Sequence, residues 1–81
     1  MEQALKYLKY TMVIDEAMAD QLPNLQNMSD YIESLNHLGT LYQEMNAEDD
    51  ALNLFTKAIH FGEKMLQKKH RLQMLLNLNS S

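Results

Sequence analysis

Residues 35–58 read LNHLGTLYQEMNAEDDALNLFTKA. Leu35, Leu38 and Tyr42 recur at spacings of three and four, and Tyr31 carries the same stripe one turn back, which is the period of an α-helix with one buried face. Gly39 sits inside that helix, where it costs about 1 kcal/mol relative to alanine. A glycine kept there has a packing reason, and the obvious one is close approach of a neighbouring helix. Asn46 breaks the chain, since asparagine tolerates the left-handed conformation that a tight turn between helices needs. Glu48, Asp49 and Asp50 then supply acids for the first turn of a new helix, where they complement its dipole. That helix is expected to carry Ala51, Leu52, Phe55, Ala58 and Ile59 on one face. Small residues at 39, 51 and 58 let two antiparallel helices approach, and Tyr42 and Phe55 fill the space beside them.

Leu35, Leu38, Gly39, Tyr42, Ala51, Phe55 and Ala58 fall at the offsets of the tetratricopeptide pattern of large residue, Leu, Gly, Tyr, then Ala, aromatic, Ala, and residues 32–65 resemble one such repeat. Two positions depart from the family's pattern. Asn46 stands where the family joins its helices with glycine, and Glu63 stands where a proline often closes the repeat. The missing proline permits a longer third helix.

Upstream, residues 2–21 read as a first helix with Ala4, Leu5, Leu8, Met12, Ala17 and Met18 at roughly helical spacing. Pro23 ends it, because the residue before proline is steered out of the helical region. After a mostly polar connection over 22–28, the second helix is expected to start near Ser29, a good N-cap, and to reach about Met45. Gln3-Ala4-Leu5 and Leu8 parallel Asp50-Ala51-Leu52 and Phe55, 47 residues apart. The first helix thus resembles the second helix of a preceding repeat. The spacing exceeds the usual period of about 34 residues and is similar to the extended-helix repeats of bacterial signalling-peptide receptors and kinesin-light-chain-like scaffolds. The expected architecture is all-α: antiparallel helical hairpins forming a tetratricopeptide-like α-solenoid fragment of three to four helices in one domain, 1–81. Residues 1–22 are the preceding helix and 29–67 the complete repeat. Residues 68–81 either begin a further helix or extend the third, since Gly62 weakens that helix but no proline stops it.

Composition narrows the function classes. A chain of 81 residues buries only about 60% of the surface its unfolded form exposes. It has no cysteine, so neither disulfides nor thiolate metal sites can reinforce it. About three repeats are normally needed for a stable solenoid, which leaves association: a homo-oligomer, or a place in a longer array. The net charge of −4 argues against nucleic acid, whose partners carry a basic footprint. Ten of the eleven acids lie between residues 15 and 63, while Lys64, Lys68, Lys69 and Arg71 cluster near the end. That cluster reads either as a patch for an acidic partner or as cations complementing a helix C-terminus. No run approaches the roughly 20 apolar residues of a membrane span, and the start lacks the features of a signal peptide, so a cytoplasmic protein with no membrane partner is expected.

No nucleophile constellation or phosphate-cradling glycine loop is present, and neither an enzyme nor a cofactor is expected. Glu33 with His37 and His60 with Glu63 lie about one helical turn apart, but neither pair has the Glu-x-x-His order of helix-borne di-metal sites, so no metal is expected. The family resemblance implies instead a protein or peptide partner held on the first helix of the hairpin, at Glu33, Asn36, Thr40, Gln43 and Glu44. Asn36 could hold a peptide backbone, its amide both donating and accepting; taken one at a time, the five are more simply solvated polar positions of an amphipathic helix. Family members that grip chaperone C-termini use a clamp of lysine, arginine and asparagine. Asn36, His37 and Thr40 stand in those places without a fixed cation, so such tails are not the expected ligand. Seven methionines suit either an irregular core or an adaptable partner surface. Met65, Leu66, Leu72, Met74, Leu75, Leu76 and Leu78 exceed what one hairpin can bury, and an apolar stripe of that length marks an interface. The second candidate role is therefore self-association through Leu66, Leu72, Leu75 and Leu76 in a homodimer whose C-terminal helices pack or exchange.

Overall fold

A proline, an asparagine in the left-handed region and long helix-favouring runs between them divide the chain. The structure, a computed structural model, describes the backbone of residues 2–80 and the side chains of residues 2–77. The described residues form three α-helices and no strand: α1 Glu2–Gln21, α2 Leu25–Glu44 and α3 Glu48–Ser80. Both α1 and α3 pack against α2, and their own backbones stay apart. Among the described residues no helix is long and apolar enough to cross a membrane.

The α1–α2 turn is shorter than expected. Asn24, not Ser29, caps α2: its backbone is extended (φ −87°, ψ 168°) and its side-chain oxygen accepts from the Asn27 N–H at 2.7 Å. Ser29 lies exposed inside the helix. Starting α2 at Leu25 brings Met28 into the buried stripe ahead of Tyr31 and Leu35, and that burial favours the earlier cap. The Asn27 side-chain amide also donates to the Leu22 carbonyl at 2.9 Å, tying the turn across the proline.

At the other end of α2, Asn46 has φ 62°. The Ala47 N–H donates to the Tyr42 carbonyl at 2.8 Å and the Asn46 N–H to the Gln43 carbonyl at 3.1 Å, the pair of bonds that defines a Schellman termination. Asparagine here does what glycine usually does. The helices it joins meet closely: a Cβ built on Gly39 would lie 2.9 Å from the Phe55 ring. Leu35 and Leu38 are the most deeply buried large side chains, with Ala51, Leu54 and Ala58 of α3 completing that face. Leu52 and Ile59, expected on it, are both 65% exposed; the buried period runs Ala51, Leu54, Ala58 instead, and they fall on its flank.

On α1 the buried side is Leu5, Leu8, Met12 and Ala19. Ala4, Ala17 and Met18 point outward. The physical cause is the pair of acids between Met12 and Ala19. Tyr31 donates its hydroxyl to Glu16 at 2.8 Å, and Ser34 donates to Asp15. These two bonds pin α1 to α2 with the Asp15 and Glu16 side facing inward, and Ala19, one turn on, lies on that side.

Of the two outcomes open for the third helix, the continuous one is realised: α3 runs unbroken for 33 residues. Phe61, packed edge-on against Tyr31 with ring centroids 4.8 Å apart, and half-buried Met65 hold the chain helical across Gly62. The Lys68 ammonium donates to the Pro23 carbonyl at the top of the α1–α2 turn. Beyond that level α2 has ended, and residues 69–77 are exposed on every side. This overhang gives the molecule its extents of 54 × 21 × 13 Å.

Candidate interaction site

Glu33, Asn36, Thr40, Gln43 and Glu44 all lie exposed on the outer sector of α2, on the side away from the Leu35 and Leu38 stripe. They do not form one cluster. Asn36 and Gln43 stand one turn before and one turn after Gly39, on the edge of α2 beside α3. Glu33 and His37 lie on the opposite edge, where they share a shallow depression with Ser34 of α2 and Tyr7, Thr11 and Asp15 of α1. Glu33 and His37 approach to 3.9 Å, with side chains 66% and 60% exposed, too open for the pair to fix either group. Thr40 donates its hydroxyl to the Asn36 carbonyl at 2.9 Å, so its oxygen remains an acceptor for a ligand. The arrangement can offer hydrogen bonds to an extended backbone. Among the described residues no three of His, Asp or Glu gather as a metal site would require.

Leu66, Leu72, Leu75 and Leu76 are all exposed, but they too divide. Leu72 and Leu76 prolong the buried line of α3, Ala51, Leu54, Ala58, Phe61 and Met65, past the point where α2 can cover it, with Leu75 at its margin. Leu66 belongs to a flanking line with Leu52 and Ile59, at intervals of seven. Met74 is 54% exposed and lies off both lines, and the Leu78 side chain lies outside the described residues.

A further apolar face was hidden in the sequence. Tyr7, Tyr10, Ile14 and Met18 follow one another at spacings of three, four and four along the outside of α1, and all are exposed, the two tyrosines by more than two thirds (68% and 69%). The spacing was the signal, but the Leu5, Leu8, Met12 line on the other side of the same helix obscured it. Between α1 and α3 runs a groove floored by α2, with Met12 and Val13 on one wall, Leu54 on the other and Leu38 and Tyr42 beneath. The Lys9 ammonium lies 5.9 Å from the Tyr42 ring centroid at one end, within cation–π range. In a separate depression shared with Glu16, His60 and Phe61, burial pushes the Tyr31 phenol up to about 12, with its hydrogen bond to Glu16 and the negative charges of Glu16 and Asp20 adding in the same direction. A phenol so held is a structural donor, not an acid for catalysis near neutral pH. Neither a family model, nor a curated protein, nor a solved structure matches the chain at a significant level.

Proposed function

We propose that this chain is a non-catalytic protein-interaction module of tetratricopeptide type, which takes a protein or peptide along the exposed face of α2 as an adaptor or regulatory element, in the cytoplasm. The observation that carries the reading is the Gly39–Phe55 contact at the centre of the hairpin, where residues of the repeat pattern meet in the roles that the pattern gives them, so that the helix lining the binding face in that family is α2. Asn36, Thr40 and Gln43 stand outward there, supported by a rigid core, and an amide such as that of Asn36 can bind a peptide backbone through both donor and acceptor. A net charge of −4 disfavours nucleic acid as the partner. The test is a displayed peptide library selected against the chain. Replacing Asn36 and Gln43 together by alanine should weaken the selected peptides at least about tenfold, or 1.4 kcal/mol, with helicity and thermal midpoint unchanged. Undiminished binding by the double variant would remove α2 as the binding face.

The second reading is self-association, favoured by a separate observation: the α3 overhang leaves Leu72, Leu75 and Leu76 exposed. Solution mass by light scattering over a dilution series tests it. A mass that stays at one chain throughout would dispose of it.

A further inference from the structure

The charge of this molecule is segregated along its length. Residues 1–63 carry three Lys and eleven acids, a net −8, whereas residues 64–81 carry three Lys and one Arg with no acid, a net +4. The positive part is the end of the hairpin and the overhang, and the overhang is also where the apolar line of α3 runs out of partner. Two overhangs laid on one another would bring like charges together, which opposes the pairing. The outer face of α1 has what the overhang lacks: the exposed stripe Tyr7, Tyr10, Ile14, Met18, bordered towards its C-terminal end by exposed Asp20.

We infer that, in the self-association reading on which this rests, the occupant of the α1 outer face is the α3 overhang of a second copy, running antiparallel to α1 and exchanged reciprocally. The register follows from the contact that ends the hairpin. The Lys68 bond to the Pro23 carbonyl sets Lys68 of α3 beside the end of α1, and α1 and α3 run parallel because both are antiparallel to α2. A two-fold axis perpendicular to α3 near Lys68 turns the second copy's α3 upside down and sends its overhang down along the first copy's α1. With the same rise of about 1.5 Å per residue in both helices, Lys69 of one copy falls beside Asp20 of the other, Leu72 beside Ala17 and Leu75 beside Ile14. Cations thus meet the acidic end and leucines meet the apolar stripe. The alternative seat, the partner's α3 at the same height, holds Glu63 beside Lys64, whose charges cancel, and so lacks the net acid that Asp20 gives the end of α1. The contact is isologous, since each copy gives an overhang and receives one, so the assembly closes at two chains.

The chain contains no cysteine, so the register can be read by cross-linking. Ile14→Cys combined with Leu75→Cys should give a disulfide-linked dimer on mild oxidation, while each single cysteine variant gives much less. In sedimentation, Ile14→Asp and Leu75→Asp should each raise the dimer dissociation constant at least tenfold. Asp20→Lys should weaken the dimer and Lys69→Glu added to it should restore it, which unfolding could not mimic; circular dichroism of each monomer confirms that it remains helical. A dimer lost in Leu75→Asp but indifferent to Ile14→Asp, and not restored by the charge exchange, overturns the α1 seat while leaving self-association standing. A chain monomeric at every concentration overturns both.

Discussion

At Gly39 a single hydrogen decides how near two helices come. An added methyl group would meet the Phe55 ring at 2.9 Å, and overpacking of this kind costs about 1–3 kcal/mol, against a gain of up to about 1 kcal/mol from better helix propensity. Overpacking wins, so Gly39→Ala should lower stability by about 1 kcal/mol in urea titration, and the loss should shrink in a Phe55→Leu background, where the ring is gone. Tyr31 provides a test by pH. Its folded-state value, pushed to about 12, lies above the ordinary 10.0, so the folded state holds this proton where the unfolded state has released it. The stabilisation is complete below about pH 10, is lost as pH rises towards 12, and is at most about 3 kcal/mol. Tyr31→Phe should abolish that part of the alkaline decline, as thermal midpoints measured across the range would show.

Gly62 behaves differently, and the difference lies in its element. A Cβ there would meet nothing within 4 Å, so Gly62→Ala should stabilise α3 by up to about 1 kcal/mol, seen as a raised thermal midpoint. The same two glycines show what the sequence could disclose. Gly39 stood inside a full apolar stripe, so a close neighbour could be foreseen, and Asn46 likewise announced a left-handed turn. Whether α3 would survive Gly62 could not be foreseen, because the outcome rests on Phe61 meeting Tyr31 across the hairpin. Ser29 and Asn24 were equally able caps, and only the burial of Met28 separates them. α1 carries apolar lines on both sides, and hydrogen bonds from Tyr31 and Ser34 to its acids select which one turns inward. At the candidate site, the exposure of Glu33, Asn36, Thr40, Gln43 and Glu44 followed from helical period. Their division between the α1 edge and the α3 edge did not, since it depends on where two other helices lie.

For the whole molecule, the end of α2 marks a change in local stability. An isolated helix shorter than about 12–15 residues is marginal in water, and past Lys68 residues 69–77 of α3 are exposed. Amide hydrogen exchange of the dilute protein should therefore be slow through Leu54 and Ala58 and fast over residues 69–77. Protection of those same amides at high concentration would report a partner laid along the overhang; fast exchange at both concentrations would show that nothing covers it.

Among the described residues, only α2 brings its backbone against both of the other helices. A load applied between α1 and α3 therefore passes chiefly through two interfaces in series. The interface with less contact, α1 on α2, yields first. What remains is the α2–α3 hairpin with its Tyr31 and Ser34 hydroxyls released from Glu16 and Asp15. Traction on α1 would thus uncover the side of α2 that α1 covers at rest.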